Sequence, residues 1–261
     1  MFGFYLSMKI IPLYTNTFAT ASSKCDHKPA MPAFRGNDLP PIPNDSFSYI
    51  GNDIDIGRIK NLNIKNLRLI NSNSVRGECL VGKRPYVLRE LKESGITTVI
   101  DLRSEGGENS KYARYCRANG LDYYNVKIKD SDTMFQPMCN QKASRAEFYV
   151  QRENFTKQLK TFFKLQDEGH FYMGCLLGMH RTDLAVTTNY LLNPNEPQSI
   201  PILSHMIDNK ETNFLGQRIN CVKNLYNNLT EENRSFLGLP ENYSEILSNR
   251  IKKLIVHNTK L

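Results

Sequence analysis

The chain has 261 residues, 34 basic and 26 acidic, for a net charge of +8, which is enough for one large domain or two small ones. Hydrophobic residues make up 40%, so an ordinary core can be buried, and no apolar run reaches the roughly 18 residues that a membrane-spanning helix needs. A basic surface gathers anions, but zinc-finger spacing and basic blocks interleaved with aromatics are both missing, so nucleic acid is not the expected partner.

In chain order, the first segment is MFGFYLSMKIIPLYTNTFATASS. Its apolar character and the small residues of ATASS resemble a secretion signal. However, Lys9 is its sole early positive charge, and Pro12 with Thr15 and Thr17 interrupts the apolar stretch of about 7–15 residues that such a signal requires. A flexible N-terminal arm over residues 1–47 is therefore expected, with a cleaved signal over 1–23 as the alternative. Residues 25–47 carry five prolines and little periodicity, as an extended linker does. The remainder, 48–261, reads as a catalytic domain, with a core over 66–193 and a helical C-terminal extension over 194–261.

Within the core, LRLINS (67–72) and ECLVG (78–82) read as short strands. RPYVLRELKESG follows, with Val87, Leu88 and Leu91 at helical spacing and Gly95 placed to end the helix. TTVIDLR (97–103) is β-branched and apolar, a buried strand. A helix over 109–120 has Asn109 or Ser110 as its cap and Gly120 at its close. DYYNVKI (122–128) is a further strand, and DSDTMFQPMCN a loop. Phe148, Phe155, Leu159, Phe162 and Phe163 mark one face of a long amphipathic helix over 144–169. HFYMG (170–174) is a strand. The next helix runs from Arg181 to Asn193 and stops before Pro194. Three helical segments, near 198–208, 212–229 and 242–256, complete the chain. Alternating strands and helices imply an α/β fold with a mostly parallel central sheet flanked by helices, and ligands of such sheets sit beyond the carboxyl ends of the strands.

GCLLGMHRTD (174–183) falls at such an end. A short loop between a strand and a helix can turn its amides inward as a nest for an anion, and the helix N-terminus adds partial positive charge. Gly178 permits backbone angles closed to other residues. Arg181 offers a planar fork for two phosphate oxygens. A cysteine facing these groups, Cys175, is favoured as a thiolate and is placed to attack phosphorus. Leu176, Leu177, Gly178, Met179, His180 and Arg181 would line the phosphate cradle.

This pattern resembles the cysteine-dependent protein-tyrosine and dual-specificity phosphatase superfamily, whose motif reads His-Cys, two residues, Gly, two residues, Arg, Ser/Thr. Cys175, Gly178, Arg181 and Thr182 stand at the matching places. GKRPYVLRELKESGITTVIDLRSE (82–105) is similar to a segment of atypical bacterial and fungal dual-specificity phosphatases, which carries a Gly-x-x-Pro stretch, a helix and an "I-x-x-V-I-x-L-R" strand. The likeness covers residues 66–193. It implies that Cys175 forms a phosphocysteine intermediate, that Arg181 holds the transferring phosphoryl group, and that Thr182 donates a hydrogen bond to the departing thiolate. It also implies an acid on the loop after a strand. VKIKDSD resembles the family's "I-P-V-x-D-S", which favours Asp130, with Asp132 as the alternative; both also fit a turn-forming Asp-Ser-Asp cluster.

Two positions depart from the motif. Gly174 replaces the histidine before the cysteine, and Asp183 replaces the glycine after the hydroxyl residue, which puts a negative charge near an anion site. His180 before the arginine resembles a subgroup of inositol-pyrophosphate phosphatases whose loop reads Lys-His-Arg-Thr. The apolar Leu176, Leu177 and Met179 suit a phosphotyrosine ring better than a polyanion. The expected partner is thus a phosphorylated protein or a small phosphomonoester. A pseudophosphatase that holds phosphorylated ligands without turnover, an inositol (pyro)phosphate phosphatase and a rhodanese-like sulfurtransferase are the rival readings.

The five histidines have no metal-ligand spacing, so no metal and no cofactor are expected. Cysteines at 25, 79, 116, 139, 175 and 221 form no Cys-x-x-Cys pair, and a chain of this size needs no disulfide framework. Reduced thiols and a cytoplasmic location, in the protein's own cell or a host, are the expectation, with secretion through the N-terminal segment as the alternative. Arg103 and Glu105 read as a structural ion pair, with an ordering role at the site as the alternative, Lys83 and Arg84 as a solvated helix start or a lining of the phosphate site, and His170 as strand-edge packing.

Overall fold

A computed structural model describes residues 54–83, 85–128, 145–204 and 212–259. The expected arm over 1–47, Arg84, Asp130 and Asp132 lie outside them. Five strands form one sheet in the order β1-β2-β5-β3-β4. Here β1 is Arg68–Asn71, β2 Ser74–Glu78, β3 Thr98–Asp101, β4 Asp122–Asn125 and β5 Phe171–Cys175. β1 and β2 are antiparallel, and β2, β5, β3 and β4 run parallel. The sheet is the mostly parallel one expected from the alternation of elements.

Helices cover both faces. Before and between the early strands stand α1 (Ile56–Lys60), α2 (Pro85–Glu93) and α3 (Lys111–Ala118). The later helices are α4 (Arg145–Glu168), α5 (His180–Leu192), α6 (Thr212–Asn228), α7 (Glu231–Leu237) and α8 (Tyr243–Asn258). Successive side chains of a strand point to opposite faces, and β5 divides accordingly. Phe171, Met173 and Cys175 join Leu159, Phe162 and Leu184 in one apolar cluster, while Tyr172 joins Val75, Leu91 and Val99 in the other. All five residues of β5 are buried, as in the central strand of a sheet covered on both faces.

Local chemistry sets the helix limits. Pro85 occupies the first position of α2, where a missing N–H costs nothing. Gly95 at φ +93° closes it, with the Ile96 amide bonded to the Leu91 carbonyl, a left-handed cap that a side chain would strain. Ser110 caps α3 by accepting from the Ala113 amide, which decides between the two expected caps.

Four elements differ from expectation. The second strand is SVRGE rather than ECLVG, because its central charge is hidden. The Arg76 side chain, 1% exposed, is paired with Asp183 at 0%, so a strand with an arginine at its middle is nonetheless buried. Residues 198–203 are irregular rather than helical; the remainder of that expected helix, past Ser204, lies outside the described residues. Side chains take over the backbone bonds there. Arg76 donates to the Ile202 carbonyl at 2.6 Å, Asn258 Oδ1 accepts from the Leu203 amide, and Asp183 accepts from the Ser204 amide, both at 3.0 Å. The short helices α1 and α7 were not anticipated; each starts at a side-chain cap, Asp55 and Thr230.

The Arg76–Asp183 pair thus ties β2, the first turn of α5 and the segment before α6. Removing one partner strands the other charge in the core, at a cost of about 3–5 kcal/mol. Asp183→Ala is expected to lower Tm by roughly 10 °C in a domain of this size, and Arg76→Met with Asp183→Leu together to recover most of it. Thermal unfolding of the three proteins checks this.

Candidate active site

α5 starts one loop beyond β5, and that loop gathers the residues singled out in the sequence. Cys175 ends β5 and is 3% exposed. Thr182, in the first turn of α5 and 0% exposed, donates its hydroxyl to Cys175 Sγ at 3.2 Å. That bond closes the six residues between them, 176–181, into a ring, with the sulfur at its floor. Met179 caps α5 with no side-chain hydrogen bond, so the partial positive charge of the helix start acts on the space above the loop. Leu176 and Leu177 are exposed by 60% and 49% and form the rim. His180 is exposed, and its ring stands edge-on to Phe214 of α6, 5.9 Å between centroids.

The loop rests on the end of β2. Gly77 is the register partner of Gly174, and Glu78 of Cys175. Gly178 holds φ +71°, and a Cβ there would lie 2.2 Å from the Gly77 carbonyl carbon and 2.5 Å from the Glu78 nitrogen. Only glycine satisfies both demands. The Cys79 amide donates to the Cys175 carbonyl at 2.6 Å, and the Leu102 amide to the Gly174 carbonyl at 2.9 Å. Asn66, itself at φ +54°, donates to the Leu177 carbonyl at 2.7 Å. Neither Asn66 nor Gly77 was singled out in the sequence; an Asn or Gly at a left-handed or crowded position carries that signal only once the pairing of strands is known.

Arg181 stands in the first turn of α5 with its side chain 14% exposed, and its guanidinium comes to 3.9 Å from Glu105. The Glu105 carboxyl is held below its ordinary range, first by its own backbone amide and then by the Ser104 hydroxyl and the Arg181 and Arg103 charges. Glu105 therefore contacts the loop arginine, whereas Arg103 turns inward. Arg103 forms a two-bond pair with Asp101 at 2.9 and 2.8 Å, and Tyr123 adds a third bond to the same carboxylate at 2.8 Å. Asn125 bonds the Asp101 and Arg103 carbonyls at 2.8 and 2.9 Å. These contacts fix the ends of β3 and β4 beside the loop. Lys83 pairs with Glu78 at 2.8 Å.

Asp183 does not charge the loop. It points away from the rim into the core and is neutralised by Arg76, so the concern that it would repel an anion is removed. His170 sits at φ +53°, its Nδ1 3.2 Å from the Gly95 carbonyl, at the opposite end of β5 from Cys175.

A separate cavity of about 220 Å³ opens at the far end of α5, lined by residues including Asn71, Gln166, Asp167, Asn189 and Asn193. Its carboxamides bond one another and Asp167: Asn193 Nδ2 reaches Asp167 at 2.7 Å and Asn189 at 3.0 Å. That end is one helix length, roughly 20 Å, from Cys175, and the reactive groups are not there. Among the described residues no cluster of three or more His, Cys, Asp or Glu side chains could hold a metal, and no helix is long and apolar enough to cross a membrane.

Two crystal structures of a candidate phosphatase (DUF442) from Shewanella putrefaciens align with 66% of this chain and with 99% and 97% of their own lengths. Their identities are 15% and 14%, and their TM-scores 0.37 and 0.39. The structure of Tk-PTP in its active form aligns with 71% of this chain and 96% of its own length, at 10% identity and a TM-score of 0.30. No family model and no curated protein matches the chain. At this level of similarity the chemistry rests on the chain's own residues.

Cys79, Cys116 and Cys175 are free thiols. Burial pushes the Cys79 thiol up to about 11 and the Cys116 thiol to about 12. A raised thiol stays protonated, hence unreactive, until the pH nears that value. Iodoacetamide at pH 7.5 is expected to leave Cys79 and Cys116 of the folded protein unmodified, with labelling of Cys79 emerging only above about pH 10; peptide mass spectrometry reads this out, and labelling of either at neutral pH would contradict it.

Proposed function

We propose that the protein is a metal-independent phosphomonoester hydrolase in which Cys175 attacks phosphorus and forms a phosphocysteine intermediate. The observation that carries the reading is the closed ring from Cys175 to Thr182, with the sulfur at its floor and Arg181 at the start of a helix that has no side-chain cap. In this reading the loop amides and Arg181 bind the three non-bridging phosphate oxygens, and charge spreading onto those oxygens strengthens the contacts in the transition state. The Thr182 hydroxyl donates to the sulfur and stabilises it as the leaving thiolate when water cleaves the intermediate. Glu105 orients the Arg181 fork.

The leaving oxygen needs a proton, and the water that follows needs a base. Asp130 is assigned both roles, with Asp132 as the alternative. Residues 126–128 run beside the end of β3, the Val126 amide on the Asp101 carbonyl and the Ile128 amide on the Leu102 carbonyl. The chain thus leaves β4 on the side of the sheet where Cys175 sits.

The exposed Leu176 and Leu177 favour an aromatic phosphoester, hence a protein-tyrosine or dual-specificity phosphatase. An inositol polyphosphate would need cations at these two loop positions.

Hydrolysis of p-nitrophenyl phosphate is expected to persist in EDTA and to vanish in Cys175→Ser. Binding of vanadate without turnover in the wild type would support the pseudophosphatase reading instead. Asp130→Asn is expected to lower kcat by about 10²-fold or more and to flatten the basic limb of the pH profile, with Asp132→Asn near wild type. The reverse pattern would transfer the role to Asp132.

A further inference from the structure

The motif's histidine is missing at position 174, yet the backbone around Cys175 is not loose, and Tyr172 accounts for this. Residues 172 and 174 are two apart on β5, so their side chains leave the same face of the sheet. A Cβ on Gly174 would lie 3.3 Å from Tyr172 Cε1, 3.1 Å from the Glu78 carbonyl oxygen and 3.2 Å from the Gly77 carbonyl oxygen. The phenol ring thus covers the ground over which a side chain at 174 would extend. Tyr172 is 0% exposed, and its hydroxyl donates to the Glu78 carbonyl. Gly77 makes this reach possible, since a Cβ there would come within 2.6 Å of that hydroxyl.

The bond acts on the sulfur through the backbone. Tyr172 holds the Glu78 carbonyl, which belongs to the same peptide unit as the Cys79 amide, and that amide donates to the Cys175 carbonyl at 2.6 Å. The Glu78 carboxylate steadies the same residue from outside, accepting from the Lys65 amide at 2.9 Å and pairing with Lys83. A peptide plane is rigid, so fixing its oxygen fixes the direction of its N–H. The chain of contacts runs Tyr172 hydroxyl, peptide 78–79, Cys175 carbonyl.

We propose that Tyr172 is a positioning residue for Cys175, taking over through the 78–79 peptide the orienting role that the motif's histidine would have held at 174. This rests on the reading of Cys175 as the nucleophile. The Tyr172 hydroxyl bonds the Glu78 carbonyl and not the sulfur, so in this proposal it sets geometry and takes no part in proton transfer.

The test uses the full chain with Tyr172→Phe, which keeps the ring and removes the hydroxyl. The rate of Cys175 modification by iodoacetate, located by peptide mass spectrometry from pH 5 to 8, is expected to fall about fivefold, the factor that one ordinary hydrogen bond supports. Hydrogen exchange of the Cys79 amide is expected to quicken by a similar factor, with the Ile100 amide in the neighbouring strand unchanged. Wild-type rates at both Cys175 and Cys79 would reduce Tyr172 to packing and overturn the proposal. If Tyr172→Phe does not fold, Gly174→Ala, whose methyl presses on the ring and on the Gly77 and Glu78 carbonyls, takes its place; an unchanged alkylation rate there is equally fatal. Neither readout uses turnover. A wild-type protein whose Cys175 responds as expected but which hydrolyses no phosphoester would sink the phosphatase reading and leave the positioning role standing.

Discussion

Everything at the candidate site depends on how closely two backbones approach. Gly77 on β2 and Gly174 on β5 are register partners, and the turn at Gly178 lies directly on β2, where a single added carbon would collide with main chain. A loop that must present amides to an anion cannot be supported by its own hydrogen bonds, since those would use up the amides. It has to be supported from below by another strand. β2 supplies that support with a glycine at the point of contact; the Cys79 amide, just past its end, bonds the cysteine carbonyl, and Asn66, before β1, bonds the Leu177 carbonyl.

The second constraint is the hidden charge pair. A parallel strand in mid-sheet normally reads as an apolar run, and an arginine at its centre costs several kcal/mol unless it is fully paired. Arg76 is paired with Asp183 and also holds a carbonyl of the segment before α6. The C-terminal region is thereby fastened to the turn that follows Arg181. The same region places Phe214 of α6 against His180, next to the loop.

Much of this was legible in the sequence because the signals were local. The period of α4 and the caps of α2 and α3 are written in neighbouring residues. So is the β-branched run of β3, and the spacing from Cys175 to Thr182 lies within one loop. What was not legible depends on contacts between distant residues. The strand SVRGE looks solvent-facing until Asp183, more than a hundred residues later, is known to neutralise its arginine. The stretch 198–203 carries Pro201, which disfavours a helix, and distant side chains hold its backbone: Arg76 bonds the Ile202 carbonyl, and Asn258 bonds the Pro201 carbonyl and the Leu203 amide. Asp183 itself seemed to oppose anion binding because the sequence gives its position along the helix and not its direction. Glu105 and Arg103, two residues apart, suggested either one ion pair or an ordering role at the site; in the fold they bond different partners, Arg181 and Asp101.

The two leucines at the rim have a thermodynamic consequence. Apolar surface held in water is ordinarily offset by burial elsewhere in the fold; here Leu176 and Leu177 leave it uncovered at the mouth of the loop. On the proposed function, inorganic phosphate seated among the loop amides and the Arg181 guanidinium would leave that surface wet. An aryl phosphoester would cover it and release its hydration water, which carries a negative heat-capacity change. The two ligands would then diverge in affinity as temperature changes, and the rim would act as a discriminator whose strength is set by water rather than by charge.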